Sequence, residues 1–192
     1  MGESAAIEPY AARLEIDYPE KLDRLTTLLR ILWIIPIAIV QSLLSGGLWF
    51  ATLLLIVFRG RYPRWWFEFA RELTRFGARV GAYAGLLTDK YPSTDEEQSI
   101  HLDVDYPAVE RDLNRGLPLV KWLLAIPHYI VLLVLWPLAI LAVVVAWFAI
   151  LATGRYPRAL FNFVVGVGRW SLRVNAYAFL LVTDQYPPFS LR

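Results

Sequence analysis

Three kinds of hydrophobic pattern follow one another along the chain, and the series occurs twice. Ala12, Leu14 and Ile16 face one way and Arg13, Glu15 and Asp17 the other; Ile100, Leu102 and Val104 alternate likewise with His101, Asp103 and Asp105. Period two over so short a stretch, closed by Tyr-Pro, predicts a half-buried strand at each place. Two lone strands of this length are marginal unless they pair with each other. Each strand leads into a long apolar run. Ile31 to Phe58 carries no charge, and Trp122 to Thr153 has His128 as its one ionisable side chain. As a single helix each run would be about 42–48 Å long, against a hydrocarbon core of about 30 Å. The runs therefore read as pairs of helices joined by tight turns, at Gly46-Gly47 and at Trp136-Pro137, with Pro137 opening the returning leg. The first return leg, from Leu48 to Tyr62, reaches only about 22 Å and reads as short or tilted.

The third pattern follows Gly-Arg-Tyr-Pro-Arg, where Pro63 and Pro157 suit the first turn of a new helix. Trp66, Phe69, Leu73, Phe76, Val80, Tyr83 and Leu87 recur at spacings of three and four, with Arg64, Glu68, Arg71, Glu72, Arg75 and Arg79 between them. That predicts an amphipathic helix suited to the headgroup region. The second copy keeps Arg158, Arg169 and Arg173 but has Val165 and Gly166 in place of Arg71 and Glu72, so it reads as more deeply buried.

The recurrence is a duplication. Leu14-Glu15-Ile16-Asp17-Tyr18-Pro19 returns as Leu102-Asp103-Val104-Asp105-Tyr106-Pro107, Gly60-Arg61-Tyr62-Pro63-Arg64 as Gly154-Arg155-Tyr156-Pro157-Arg158, and Thr88-Asp89-Lys90-Tyr91-Pro92 as Thr183-Asp184-Gln185-Tyr186-Pro187. The order is constant and the offset drifts only from 88 to 95 residues. The join is the polar stretch from Ser93 to Gln98. The units are residues 1–98, with a membrane hairpin at about 25–62 and an amphipathic helix at about 63–88, and residues 99–192, with a hairpin at about 117–154 and a helix at about 157–182. The fold class expected is a mainly α membrane protein: a tandem duplication of strand, transmembrane helical hairpin and interfacial amphipathic helix, with about four membrane helices.

Composition supports this. Apolar residues make up 57% of the chain and charged residues 19%, too little polar surface for an ordinary soluble domain. Net charge is only +2, but placement matters more: Lys21, Arg24 and Arg30 precede the first run and Arg59, Arg61 and Arg64 follow it. Arg111, Arg115 and Lys121 precede the second, and Arg155 and Arg158 follow. With hairpins all these cations lie on one side, which makes that side, and both termini, cytoplasmic. Arg24, Arg30, Arg59, Arg61, Arg64, Arg71, Arg75, Arg79, Arg155, Arg158, Arg169 and Arg173 are the candidates for anionic headgroups, and nucleic acid is not expected. There is no cysteine, hence no disulfide.

Chemistry is scarce. Asp17, Asp105, Asp89 and Asp184 are acidic in both copies but adjoin Tyr-Pro turns, where aspartate serves as a local backbone acceptor. His128 reads as an interhelix or partner contact rather than an acid or base. Trp65, Trp66 and Phe69 are candidate partner contacts. No catalytic, metal or cofactor set is present, so the chain is expected to be non-enzymatic and without cofactors. The leading expectation is an accessory subunit that docks on a larger membrane complex, with self-association as the other mode of assembly. The alternatives are a hairpin protein that wedges the cytoplasmic leaflet, or a lipid-handling protein with a groove between its units.

The strand motif with its Tyr-Pro, the Ile126-Pro127-His128-Tyr129 run, Thr153-Gly154-Arg155-Tyr156-Pro157-Arg158, Arg169-Trp170-Ser171-Leu172-Arg173-Val174-Asn175-Ala176-Tyr177 and the closing Thr-Asp-x-Tyr-Pro together resemble an uncharacterised prokaryotic membrane-protein family known as domain of unknown function 4389, in two tandem copies. The second copy fits more closely; the first departs at Ile35-Pro36-Ile37-Ala38 and Phe58-Arg59-Gly60-Arg61. The resemblance implies a bacterial cytoplasmic membrane location and transfers no catalytic residue.

Overall fold

The structure is a computed structural model that describes residues 10–94, 98–107, 113–114 and 116–192. The acidic part of the join, Arg111 and Arg115 lie outside the described residues. The order of elements is β1 (Ala12–Ile16), α1 (Arg24–Ser45), α2 (Leu48–Arg59), α3 (Arg64–Ala84), β2 (Ile100–Val104), α4 (Pro118–Leu124), α5 (Ile126–Thr153) and α6 (Arg158–Ala178).

The strands pair with each other, antiparallel, in the register Ala12–Val104, Leu14–Leu102 and Ile16–Ile100. These three pairs turn inward. On the outer face Arg13 bridges Asp103 and Asp105 at 2.9 and 3.0 Å. Asp23 caps α1, its carboxylate accepting from the Thr26 N–H at 2.7 Å. Gly60 and Gly154 close α2 and α5 at φ 59° and 72°, left-handed positions that glycine takes without a steric penalty.

The long apolar runs depart from expectation. No turn forms at Trp136-Pro137, and α5 runs unbroken through Pro137. Proline removes only its own N–H and frees one carbonyl, while a single buried stripe of His128, Leu132, Ala139, Ala142, Ala146 and Ile150 holds both halves of the helix to the same support. Gly46 and Gly47 also stay in the right-handed region, at φ/ψ of −61°/−30° and −101°/−6°. The helix is interrupted there without a reversal, and α1 and α2 do not pack along each other as a closed hairpin. Two segments, Leu32–Arg59 and Ile126–Thr153, are long and apolar enough to cross a membrane.

The two units interlock. β1 packs on α6 of the second unit and β2 on α3 of the first; Arg169 Nε donates to the Leu14 carbonyl at 2.8 Å, and Arg75 to the matching Leu102 carbonyl at 3.2 Å. The start of α1 lies against the end of α5: the Leu22 N–H donates to the Gly154 carbonyl and the Trp147 indole N–H to the Thr27 carbonyl. In the same manner α2 lies against α4. The result is three layers: the long helices outside, α3 and α6 in the middle, and the two-stranded sheet on the far side.

Candidate functional site

Matched polar devices lock the ends of the long helices. Arg30 on α1 pairs with Asp89, and Lys121 on α4 pairs with Asp184 at 2.6 Å. The two cations are 2% and 0% exposed. Burial pulls both below their ordinary pKa, and the aspartates oppose that shift. Each cation also stands over a tyrosine ring, Arg30 4.6 Å from Tyr83 and Lys121 5.3 Å from Tyr177. The second oxygens of the aspartates accept from the backbone N–H groups of Asp23 and Asn114, both at 2.6 Å. Asp89 and Asp184 therefore do more than close their own turns.

Tyrosines stitch one unit to the other. Tyr62 donates to the Leu180 carbonyl at 3.2 Å and Tyr156 to the Gly85 carbonyl at 3.3 Å. Tyr18 donates to the Tyr156 carbonyl, and Tyr106 to the Tyr62 carbonyl at 2.5 Å. Burial raises the Tyr62 and Tyr156 hydroxyls well above the usual phenol range, so both stay protonated donors. The carbonyls they reach precede Leu86 and Leu181, which hold φ of 61° and 58°. A left-handed leucine costs about 1–2 kcal/mol, an outlay that the tyrosine bonds and the burial of both side chains offset.

Between the units, enclosed by α3, α6, the middle of the long helices and the inner face of the sheet, lies a cavity of about 690 Å³. This is within the size range of small-molecule sites. Small residues open it: a Cβ on Gly81 would meet nothing within 4 Å, whereas one on Gly77 would run into Gln41 Nε2 at 2.8 Å. Among the described residues no charged side chain lines it; its polar groups are Gln41, Ser45, Thr74, Ser171 and Asn175. Gln41 Nε2 donates to Ser45 Oγ at 3.0 Å. Gln41 Oε1 and Ser171 Oγ are buried and have no hydrogen-bond partner among the described residues. Trp136, Ile140 and Val144 line the cavity and are also exposed on the outer helical layer, so the cavity opens onto that apolar face.

A sequence profile of the domain of unknown function DUF4389 matches residues 24–94 and again 118–190. The chain belongs to the DUF4389 family. No curated protein and no solved structure matches it. The two DUF4389 copies coincide with the two long-helix units, and both contribute walls to the cavity.

In this DUF4389 chain the predicted basic residues serve several ends. Arg59, the last residue of α2, and Arg61 and Arg155, just past the ends of α2 and α5, are exposed. Arg24 donates to the Ala152 carbonyl at 3.2 Å. Arg71 and Arg75 pair with Glu72. Arg64 stands over the Tyr106 ring at 5.2 Å and Arg158 over Tyr18 at 4.7 Å. Arg79 and Arg173 are buried and donate to the carbonyls of Ser93 and Ser190, and Arg169 clamps β1. Trp65 is 67% and Phe69 44% exposed, whereas the half-buried Trp66 donates to Thr52 Oγ1 at 2.8 Å. His128 is fully buried: its Nδ1 accepts from the Trp170 indole at 3.0 Å, and its ring stacks on Phe189 with centroids 4.1 Å apart. The apolar side of α3 turns to the sheet and to α1. The helix is amphipathic because it has a core to cover.

Gln41, Ser171 and Asn175 carry no sequence motif. One signal for the ion pairs was legible: Arg30 and Lys121 occupy matching places in the two copies, and so do Asp89 and Asp184.

Proposed function

We propose that the protein is a non-enzymatic, membrane-embedded lipid-handling protein that holds one lipid chain between its two units. The observation that carries this reading is the cavity of about 690 Å³ opening among exposed apolar side chains of the outer helices. A surface this apolar over the whole length of α1, α2, α4 and α5 calls for lipid, as expected from the bacterial-membrane resemblance. A chain moving from bilayer to cavity exchanges one apolar medium for another, so it gains little hydrophobic free energy. Selection then falls to shape and to the few polar groups, where Gln41 Oε1 and Ser171 Oγ offer unused hydrogen-bonding capacity. With no charged residue among the described residues of the lining, the part of the lipid taken up is uncharged.

The test is native mass spectrometry of protein extracted gently from its own membranes, alongside a Gly81→Leu variant that fills the open wall. Wild type should carry about one lipid per chain and the variant none. A wild-type chain without lipid, or equal retention by both, refutes the reading.

A second reading, docking on a larger membrane complex, is favoured by Trp65 and Phe69, two exposed rings on α3 among charged neighbours. Trp65→Ala with Phe69→Ala should then release any unlike subunit that copurifies at native expression. An unchanged complement of subunits removes this reading.

A further inference from the structure

The two faces of the molecule differ in kind. On the outer helical layer Leu32, Leu43, Phe58, Leu133, Ile140 and Phe148 are exposed, and no charged residue interrupts the long helices between Ile31 and Phe58 or between Trp122 and Thr153. On the opposite side the sheet exposes Arg13, Glu15, Asp17, His101, Asp103 and Asp105. The sheet does not sit at one end of the helices. It packs on the middle of α6, where Gly168 approaches Leu14 and Arg169 holds the Leu14 carbonyl, and on the corresponding part of α3 through Arg75. α6 in turn returns antiparallel along α5 after the Gly154 turn, with Trp170 against His128.

This placement decides the orientation. Were α5 upright in a bilayer, the middle of α6 would lie near mid-depth and carry the charged face of the sheet into the hydrocarbon, where ionisable groups are strongly disfavoured. At about 42 Å, α5 is also longer than a hydrocarbon core of about 30 Å. Laid flat, both conflicts vanish. A layer one helix thick, about 10–12 Å across, fits within the roughly 15 Å of hydrocarbon that one leaflet supplies. The cations at both ends of each run, Lys21 and Arg24 with Arg59, Arg61 and Arg64 in the first, then reach the same headgroup plane.

We infer that the chain is embedded in the plane of a single leaflet, with α1, α2, α4 and α5 sunk among the acyl chains and the two-stranded sheet in water. The partner of the apolar face is the lipid monolayer itself, and this holds whether or not the cavity is filled. Flat embedding replaces the expected multi-pass hairpins while keeping their charge logic, since every flanking cation faces one aqueous side.

The protein has no cysteine, so single reporters can be placed freely. Glu15→Cys on the sheet, Lys21→Cys and Arg61→Cys at the two ends of the first run, and Leu43→Cys at its middle are expressed separately. Each is treated with a membrane-impermeant maleimide in right-side-out and in inverted membrane vesicles. Glu15→Cys, Lys21→Cys and Arg61→Cys should react in the same vesicle orientation, and Leu43→Cys in neither until detergent is added. Reaction of Lys21→Cys and Arg61→Cys in opposite orientations would show a crossing helix and overturn the inference. Reaction of Leu43→Cys in the orientation opposite to the other three would show hairpin tips reaching the far side, and its reaction in both orientations would show that the face lies outside lipid; either result overturns it too.

Discussion

Removing Asp184 should damage the protein far more than removing its partner Lys121. Lys121 is fully buried, and its ammonium is held at 2.6 Å by Asp184 and at 2.8 Å by the Thr183 carbonyl, which accepts from it. Asp184→Ala strands that charge without a counter-ion, a loss of about 3–5 kcal/mol for a buried pair. Lys121→Met leaves a carboxylate that is still 24% exposed and still accepts from the Asn114 N–H. That carboxylate rehydrates, and the cost falls to about 1 kcal/mol for the lost carbonyl bond. The double variant should lie near Lys121→Met. Unfolding of each purified variant in mild detergent, followed by tryptophan fluorescence, separates the cases: about 6–20 °C lost for Asp184→Ala against about 2–4 °C for Lys121→Met. The pH dependence has a definite sign. Burial holds the folded pKa of Lys121 below its ordinary value, so between the two values the unfolded chain binds more protons and stability rises with pH. The rise should be steeper in Asp184→Ala, which lacks the opposing carboxylate, and absent in Lys121→Met. Equal losses for the two single variants would refute the argument, since they would mean that Asp184 is stranded without Lys121 as badly as Lys121 is without Asp184.

Three further outcomes follow from the same geometry. In protein stripped of lipid, Gly81→Leu should raise the melting temperature, because leucine is favoured over glycine in a helix by about 1 kcal/mol and its Cβ meets no neighbour; a fall under those conditions would show the wall to be closed. Tyr62→Phe and Tyr156→Phe leave carbonyls without their partner, a buried one at Leu180 and a half-buried one at Gly85, and should cost about 1–3 kcal/mol in denaturant titrations, with the larger loss for Tyr62→Phe. Asp23→Ala should lower the melting temperature above pH 5 and converge with wild type in acid. The Thr26 N–H and hydroxyl hold the Asp23 carboxyl below its ordinary pKa, so its contribution is complete above that ordinary value and fades as pH falls through the lowered one.

The local grammar of this fold is written openly in the chain, and its long-range exchange is not. Alternation at Leu14 and Leu102 and the Gly-Arg-Tyr-Pro-Arg signals locate the strands and the starts of α3 and α6 because they are properties of a few neighbouring residues. Pro137 misled because proline at a helix start and proline inside an apolar helix look alike in sequence; the difference lies in the stripe from His128 to Ile150, which a single support holds on one face. The partner of β1 was also out of reach. Leu14 is equally suited to α3 or α6, and the choice rests on Arg169 and Gly168, more than 150 residues away. Sequence alone points Arg30 and Arg173 at headgroups, Arg30 because an arginine beside an apolar run ordinarily snorkels to the surface and Arg173 because it lies on an amphipathic helix. Here Asp89 and the Ser190 carbonyl supply inside the protein what water would supply outside.

The exchange of strands between units sets a timetable for synthesis. β1 leaves the ribosome early, but the arginine that clamps it is 155 residues further on. At a translation rate of about 5–20 residues per second, Leu14 waits roughly 8–30 s for that partner. During that interval the first apolar run has already emerged and cannot close against α5. The nascent first half is therefore a half-molecule with an open flank, in need of a membrane surface or a chaperone until the second half arrives. Chains severed between the repeats should be lost to aggregation when made apart and recovered when made together.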